Sequence, residues 1–126
     1  MLATLDARGL ALVPLVAPTT PEERLAQIGS RARGFVYTVS VTGTTGERAA
    51  NNVALPEILA RTRVHTEVPV AVGFGIGTPE QAAAAADAGA DGVIVGSRLV
   101  RAAGEPEASA ASVRSLVSAF ATALAA

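Results

Sequence analysis

The sequence predicts an α/β fold with parallel strands, on three observations. Short β-branched apolar runs alternate with helix-like segments four times over, an order that calls for right-handed crossovers between parallel strands. The run Val68–Val72 has no polar alternation, as suits a strand covered on both faces. Glycines mark the ends of two strands, at Gly73 and Gly75 and again at Gly96, where Ser97 opens a short helix.

In chain order, Met1–Gly9 reads as the end of a helix, with Leu2, Leu5 and Leu10 on one stripe. Leu10–Ala17 is the first strand, and Pro14 inside it, which has no N–H for a ladder, marks an edge or a bulge. Thr20-Pro21-Glu22-Glu23 opens the next helix as a capping box with proline at the first position, and Leu25 and Ile28 face inward. Phe35–Val39 is the second strand. A polar loop, Ser40–Asn52, is the longest stretch without apolar periodicity, a length that marks a functional or disordered segment. Pro56–Val64 is a helix with Ile58, Leu59 and Thr62 inward. Val68–Val72 follows as the third strand. Thr78 then caps a helix, with Pro79 at its first position, Gln81 closing a capping box and Gly89 stopping it. Asp91–Val95 is the fourth strand and Ser97–Ala103 the short helix, broken at Gly104-Glu105-Pro106. Pro106–Ala126 is the closing helix, with Val113, Leu116, Val117, Phe120 and Leu124 at helical spacing. A closed eight-unit barrel takes about 250 residues. Four units in 126 residues make a parallel (β/α)4 half of a TIM (β/α)8 barrel, one partial domain.

Composition narrows the chemistry. The formal net charge is −1, so there is no electrostatic footprint for nucleic acid or an anionic membrane. All ten basic residues are arginine, which excludes a lysine Schiff base within this sequence. With no cysteine and a single histidine, thiolate chemistry is absent and a metal site is not expected. No apolar run reaches membrane-spanning length and no export signal precedes the first strand, so a cytoplasmic setting is expected.

The two glycine turns suit a bound phosphate. Bare glycine amides let an anion approach the main chain, and a helix N-terminus adds unpaired N–H groups and its dipole. In (β/α)8 barrels a phosphate often sits on the loops after strands seven and eight, beside a short extra helix. The alternative is that these glycines only permit tight turns.

The segments LVPLVAPTTPEERL (Leu12–Leu25), GFVYTVSVTGTTG (Gly34–Gly46), VGFGIGTPEQ (Val72–Gln81) and DGVIVGSRLV (Asp91–Val100) resemble the C-terminal half of the tryptophan synthase α subunit, from strand five to the last helix. That family is a (β/α)8 barrel that cleaves indole-3-glycerol phosphate to indole and glyceraldehyde 3-phosphate. It works beside a pyridoxal-phosphate-dependent β subunit. The resemblance implies that Gly46, Gly75, Gly96 and Ser97 hold the substrate phosphate and that Phe74 and Ile94 line the indole pocket. It further implies that Tyr37 stands beside the reacting part of the substrate and that Thr45 belongs to a mobile closing loop. No cofactor is expected in this chain, since the pyridoxal phosphate would belong to the β subunit. The family's catalytic glutamate and partner aspartate lie on the second strand and the loop after it, in the half with no counterpart here. This half alone is therefore expected to be inactive, and the expected partners are the N-terminal half-barrel or a second copy, and the β subunit. Glu47 is the nearest acidic residue and reads as a solvated loop charge, while Thr44 stands where the family usually has an apolar residue.

Other readings remain open at this level. The chain is alternatively a non-catalytic phosphate-binding half-barrel that dimerises, or part of another phosphate-binding barrel isomerase or epimerase. Tyr37 reads equally as a core aromatic with its hydroxyl at the rim. His65 reads as an exposed, neutral side chain near a helix end. Arg98 and Arg101 are expected to point from the short helix into solvent, and Arg31 and Arg33 to lie on the opposite face from the glycine turns.

Overall fold

The fold is drawn from a computed structural model that describes residues 2–39, 48–107 and 109–125. Four strands, β1 (Leu15–Val16), β2 (Val36–Val39), β3 (Val70–Gly73) and β4 (Gly92–Val93), form one parallel sheet in the order β1-β2-β3-β4. The helices are α1 (Leu2–Asp6), α2 (Glu22–Gly29), α3 (Arg48–Arg63), α4 (Pro79–Asp87), α5 (Ser97–Gly104) and α6 (Ala110–Leu124). This is the expected alternation of strand and helix.

Register decides which side chains are covered. Val16, Thr38, Val72 and Val93 form one row across the sheet, and Leu15, Tyr37, Ala71 and Gly92 the neighbouring row on the other face. The first row lies under the helices, where Val16, Val36, Val70 and Val72 pack with Leu25, Ile58, Leu59 and Ala85 in the core. The second row is open: Leu15 is 59% exposed, and Tyr37 and Ala71 are only half-buried. The expectation of a third strand covered on both faces is thus corrected, because four strands supply one wall of a barrel and leave its interior uncovered.

Several boundaries also differ from the sequence reading. The first strand shrinks to Leu15–Val16, since Pro14 has no N–H and contributes only its carbonyl, which accepts from the Tyr37 amide at 2.9 Å. The Thr20 capping box does not form: Pro21 is the N-cap of α2, and the Thr20 hydroxyl accepts instead from the Ala17 amide at 2.9 Å. Helix α3 begins at Arg48 with Pro56 inside it, so residues 48–52 are helical and the polar loop is shorter than expected. Its remainder, residues 40–47, lies outside the described residues. Helix α6 starts late because Ser109 and Ser112 cap each other, a serine version of the box usually closed by Glu or Gln. Of its five expected inward residues only Phe120 is buried; Val117 and Leu124 are exposed. By contrast, Thr78 and Gln81 form the expected capping box and Gly89, with a φ of 103°, ends α4.

Two polar details carry predictions. The Thr38 hydroxyl is fully buried and has no hydrogen-bond partner among the described residues. Thr38→Val, which keeps the shape and removes the orphaned group, should raise the unfolding free energy by about 1 kcal/mol in a denaturant titration. Asp91 ties three elements together, accepting from the Val70 amide at 2.7 Å and pairing with Arg63 at 2.8 Å. The Arg63 hydrogen bond, and then the Val70 amide, hold the Asp91 carboxyl below its ordinary value of 3.8. A carboxyl with a depressed folded-state value stabilises the fold above its unfolded value and loses that contribution as pH falls through the folded one. Melting temperature should therefore fall as pH drops below about 4, and Asp91→Asn should flatten that fall.

Candidate functional site

The C-terminal ends of β2, β3 and β4 surround a cavity of about 500 Å³, and its lining includes Tyr37, Phe74, Gly75, Ile94, Gly96 and Ser97. Six of the eight residues singled out in the sequence therefore meet at one place. Thr45 and Gly46 lie outside the described residues, as do Thr44 and Glu47.

Local chain geometry explains how this wall is built. After β3 the main chain turns through two left-handed residues, Phe74 with a φ of 64° and Gly75 with 82°. Glycine takes that conformation freely, but a bulky aromatic does not, and the strain costs on the order of 1 kcal/mol. The turn leaves Phe74 59% exposed on the cavity side, edge-on to Tyr37 with ring centroids 6.1 Å apart and planes at 71°. Tyr37 reaches that position over Gly73, where a Cβ would come within 2.5 Å of the ring carbon bearing the hydroxyl. The aromatic wall thus depends on a residue without a side chain one strand away.

Another part of the lining is the start of α5. Gly96 is the N-cap of α5 with no side-chain cap, and that first turn holds no acidic residue. The amides of Gly75, Gly96 and Ser97 donate to no described residue, whereas those of Leu99 and Val100 return to the Gly96 carbonyl. Amides without an acceptor at a helix N-terminus and a glycine turn are groups to which an anion can bind, and these three border one cavity. Gly77 and Thr78 cannot join them, since both their amides donate to the Gln81 side chain at 2.8 and 3.1 Å.

The sequence reading missed part of this lining. Arg98 and Arg101 also border the cavity rather than projecting away from it, together with Ile76, Gly77 and Thr78. Their three-residue spacing places both on one face of α5, a signal present in the sequence but tied to a register that only the fold fixes. Among the described residues, no acidic side chain lines the cavity. His65 is not the exposed side chain expected: its ring is 21% accessible and its Nε2 lies 2.8 Å from Glu22. Arg31 and Arg33 border a separate groove with Leu12 and Pro14, at the start of β1.

The profile of the family described as "Tryptophan synthase alpha chain" matches residues 1–125. The chain belongs to the tryptophan synthase alpha chain family. It is similar to the tryptophan synthase alpha chain of Methanosarcina mazei, 55% identical over 96 residues, covering 76% of this chain and 35% of that one. It is likewise similar to the alpha chain of Gloeobacter violaceus, 54% identical over 96 residues with the same coverage of 76% and 35%. Among solved structures, tryptophan synthase subunit alpha from Campylobacter jejuni superposes with a TM-score of 0.83 at 28% identity, over 94% of this chain and 47% of that one. Tryptophan synthase from Mycobacterium tuberculosis gives 0.79 at 39% identity, over 98% and 45%. The chain thus spans about a third of the length of these curated relatives and under half of the solved chains, in keeping with a half-barrel of the alpha chain fold. No helix among the described residues is long and apolar enough to cross a membrane.

Proposed function

We propose that this chain is the phosphate- and indole-holding half of a tryptophan synthase alpha-type lyase, acting in the cytoplasm in tryptophan biosynthesis. The observation that carries this reading is the gathering of Gly75, Gly96 and Ser97, their amides uncommitted, around one cavity walled by Tyr37, Phe74 and Ile94. In the reaction, indole-3-glycerol phosphate loses its indole by a retro-aldol step. The indole ring gains a proton, the adjoining hydroxyl loses one, and the carbon–carbon bond between them breaks to leave glyceraldehyde 3-phosphate. This half anchors the phosphate on main-chain amides, to which the family pattern adds Gly46, and the indole between Phe74 and Ile94, with Tyr37 beside the reacting part of the substrate and Thr45 given by the same pattern to site closure. The proton-carrying carboxylates come from the other half of the barrel, and the indole passes to a β subunit that holds the pyridoxal phosphate.

Mixing the chain with the N-terminal half of a family member and following indole release from indole-3-glycerol phosphate tests the reading. Activity is expected from the mixture and none from the chain alone. A well-folded mixture without indole release would count against it.

One observation favours a second reading. Leu10, Leu12 and Leu15 are 53%, 43% and 59% exposed, and Leu15 sits on the open face of the sheet. Apolar area of this kind is normally covered, and among the described residues both β1 and β4 have an unpaired edge. A second copy placed edge to edge would close eight strands into a non-catalytic, phosphate-binding dimer. Native mass spectrometry distinguishes the two, with a dimer that binds phosphate without turnover supporting the second.

A further inference from the structure

Arg98 stands in the first turn of α5, where the helix dipole disfavours a positive charge. That turn carries no acidic residue, and neither Arg98 nor Arg101 pairs with a carboxylate among the described residues. Arg33, Arg61 and Arg63, by comparison, each meet one. Side chains on a helix lean toward its N-terminus, which for Arg98 is the end of α5 that carries Gly96 and Ser97. Both arginines border the cavity that Gly75, Gly96 and Ser97 line, and among the described residues they are its only charged lining residues.

We propose that Arg98, supported by Arg101 one turn behind it, is a specificity residue of this anion site that selects a doubly charged phosphoryl group. The inference rests on the phosphate reading above and adds to it. Main-chain amides offer partial charges and hold a singly or doubly charged oxyanion by the same geometry. A guanidinium adds a full charge and a planar fork of donors, which favours the dianion and makes binding sensitive to salt.

The test is titration of the full chain with glycerol 3-phosphate, followed by phosphorus NMR or calorimetry. It is run at about pH 7.5 and about pH 5.5, on either side of the second phosphate ionisation near 6. The variants are Arg98→Ala, Arg98→Lys and Arg101→Ala, with Arg114→Ala on α6 as the remote control. Arg98→Ala should bind roughly tenfold more weakly at the higher pH and lose most of the difference between the two pH values. Arg101→Ala should show a smaller loss, Arg98→Lys should recover part of the pH difference, and Arg114→Ala should match the parent. Parent-like binding and an unchanged pH ratio in Arg98→Ala would overturn the inference and leave the amide site standing. Failure of the parent chain to bind glycerol 3-phosphate at either pH would overturn the phosphate reading, and the inference with it.

Discussion

Gly29→Ala should lower the unfolding free energy by about 3 kcal/mol, at the upper end of what overpacking usually costs. Gly29 is the last residue of α2, and a Cβ there would lie 2.6 Å from the carbonyl carbon of His65 and 2.8 Å from its Cβ, with the carbonyl oxygen closer still. Those atoms are main chain or next to it, so no side-chain rotation makes room. The same seam is held from the other end by Glu22, which meets Arg61 at 2.9 Å and His65 at 2.8 Å. Pushing α2 away from His65 would therefore strain both contacts together. A denaturant titration reads the loss directly, and a change under about 0.5 kcal/mol, the range of an ordinary surface substitution, would show that α2 and the chain after α3 are not packed this closely.

Gly73→Ala should damage the cavity more than the fold. Its methyl would come within 2.5 and 2.9 Å of two Tyr37 ring carbons, so the ring must leave its place against Phe74. Unlike the Gly29 clash, this one is with a side chain, which can swing into the open face of the sheet at a cost of about 1–2 kcal/mol. Displacing one aromatic wall should weaken binding of indole by roughly tenfold, the equivalent of about 1.4 kcal/mol. The double variant Gly73→Ala with Tyr37→Ala separates the causes. If the clash is the whole effect, adding Gly73→Ala to a chain that already lacks the tyrosine ring should cost almost no stability, a plain failure of additivity. Simple additivity of the two costs would place the origin of the loss elsewhere.

What the sequence made legible was local chemistry. The Thr78–Gln81 box and the stop at Gly89 need only neighbours along the chain, and both form as read. The glycine turns were legible for the same reason, since a strand end followed by glycine and a helix N-terminus is a pattern within a few residues. What failed needed knowledge of distant partners. Thr20 is the local exception: its hydroxyl accepts from the Ala17 amide three residues back, so its capping box gave way to a tight turn. Pro56 looked like a helix start, yet α3 runs through it from Arg48. Tertiary packing of Ile58 and Leu59 into the core outweighs one missing main-chain hydrogen bond. The positive φ of Phe74 has no local signature, because nothing in the residues around it announces that an aromatic will be held left-handed. Arg98 and Arg101 border the cavity instead of projecting away from it for a similar reason: which face of a short helix meets a cavity depends on where β4 ends and how α5 leaves it.

The central claim is that the main-chain amides of Gly75, Gly96 and Ser97 bind one phosphate together. The most direct measurement is a nitrogen–proton NMR titration of the full chain with glycerol 3-phosphate. The three amide resonances should move in concert along a single binding curve, while those of Gly77 and Thr78, already committed to Gln81, stay nearly still. Shifts confined to Gly77 and Thr78, or three amides responding with unrelated affinities, would contradict it.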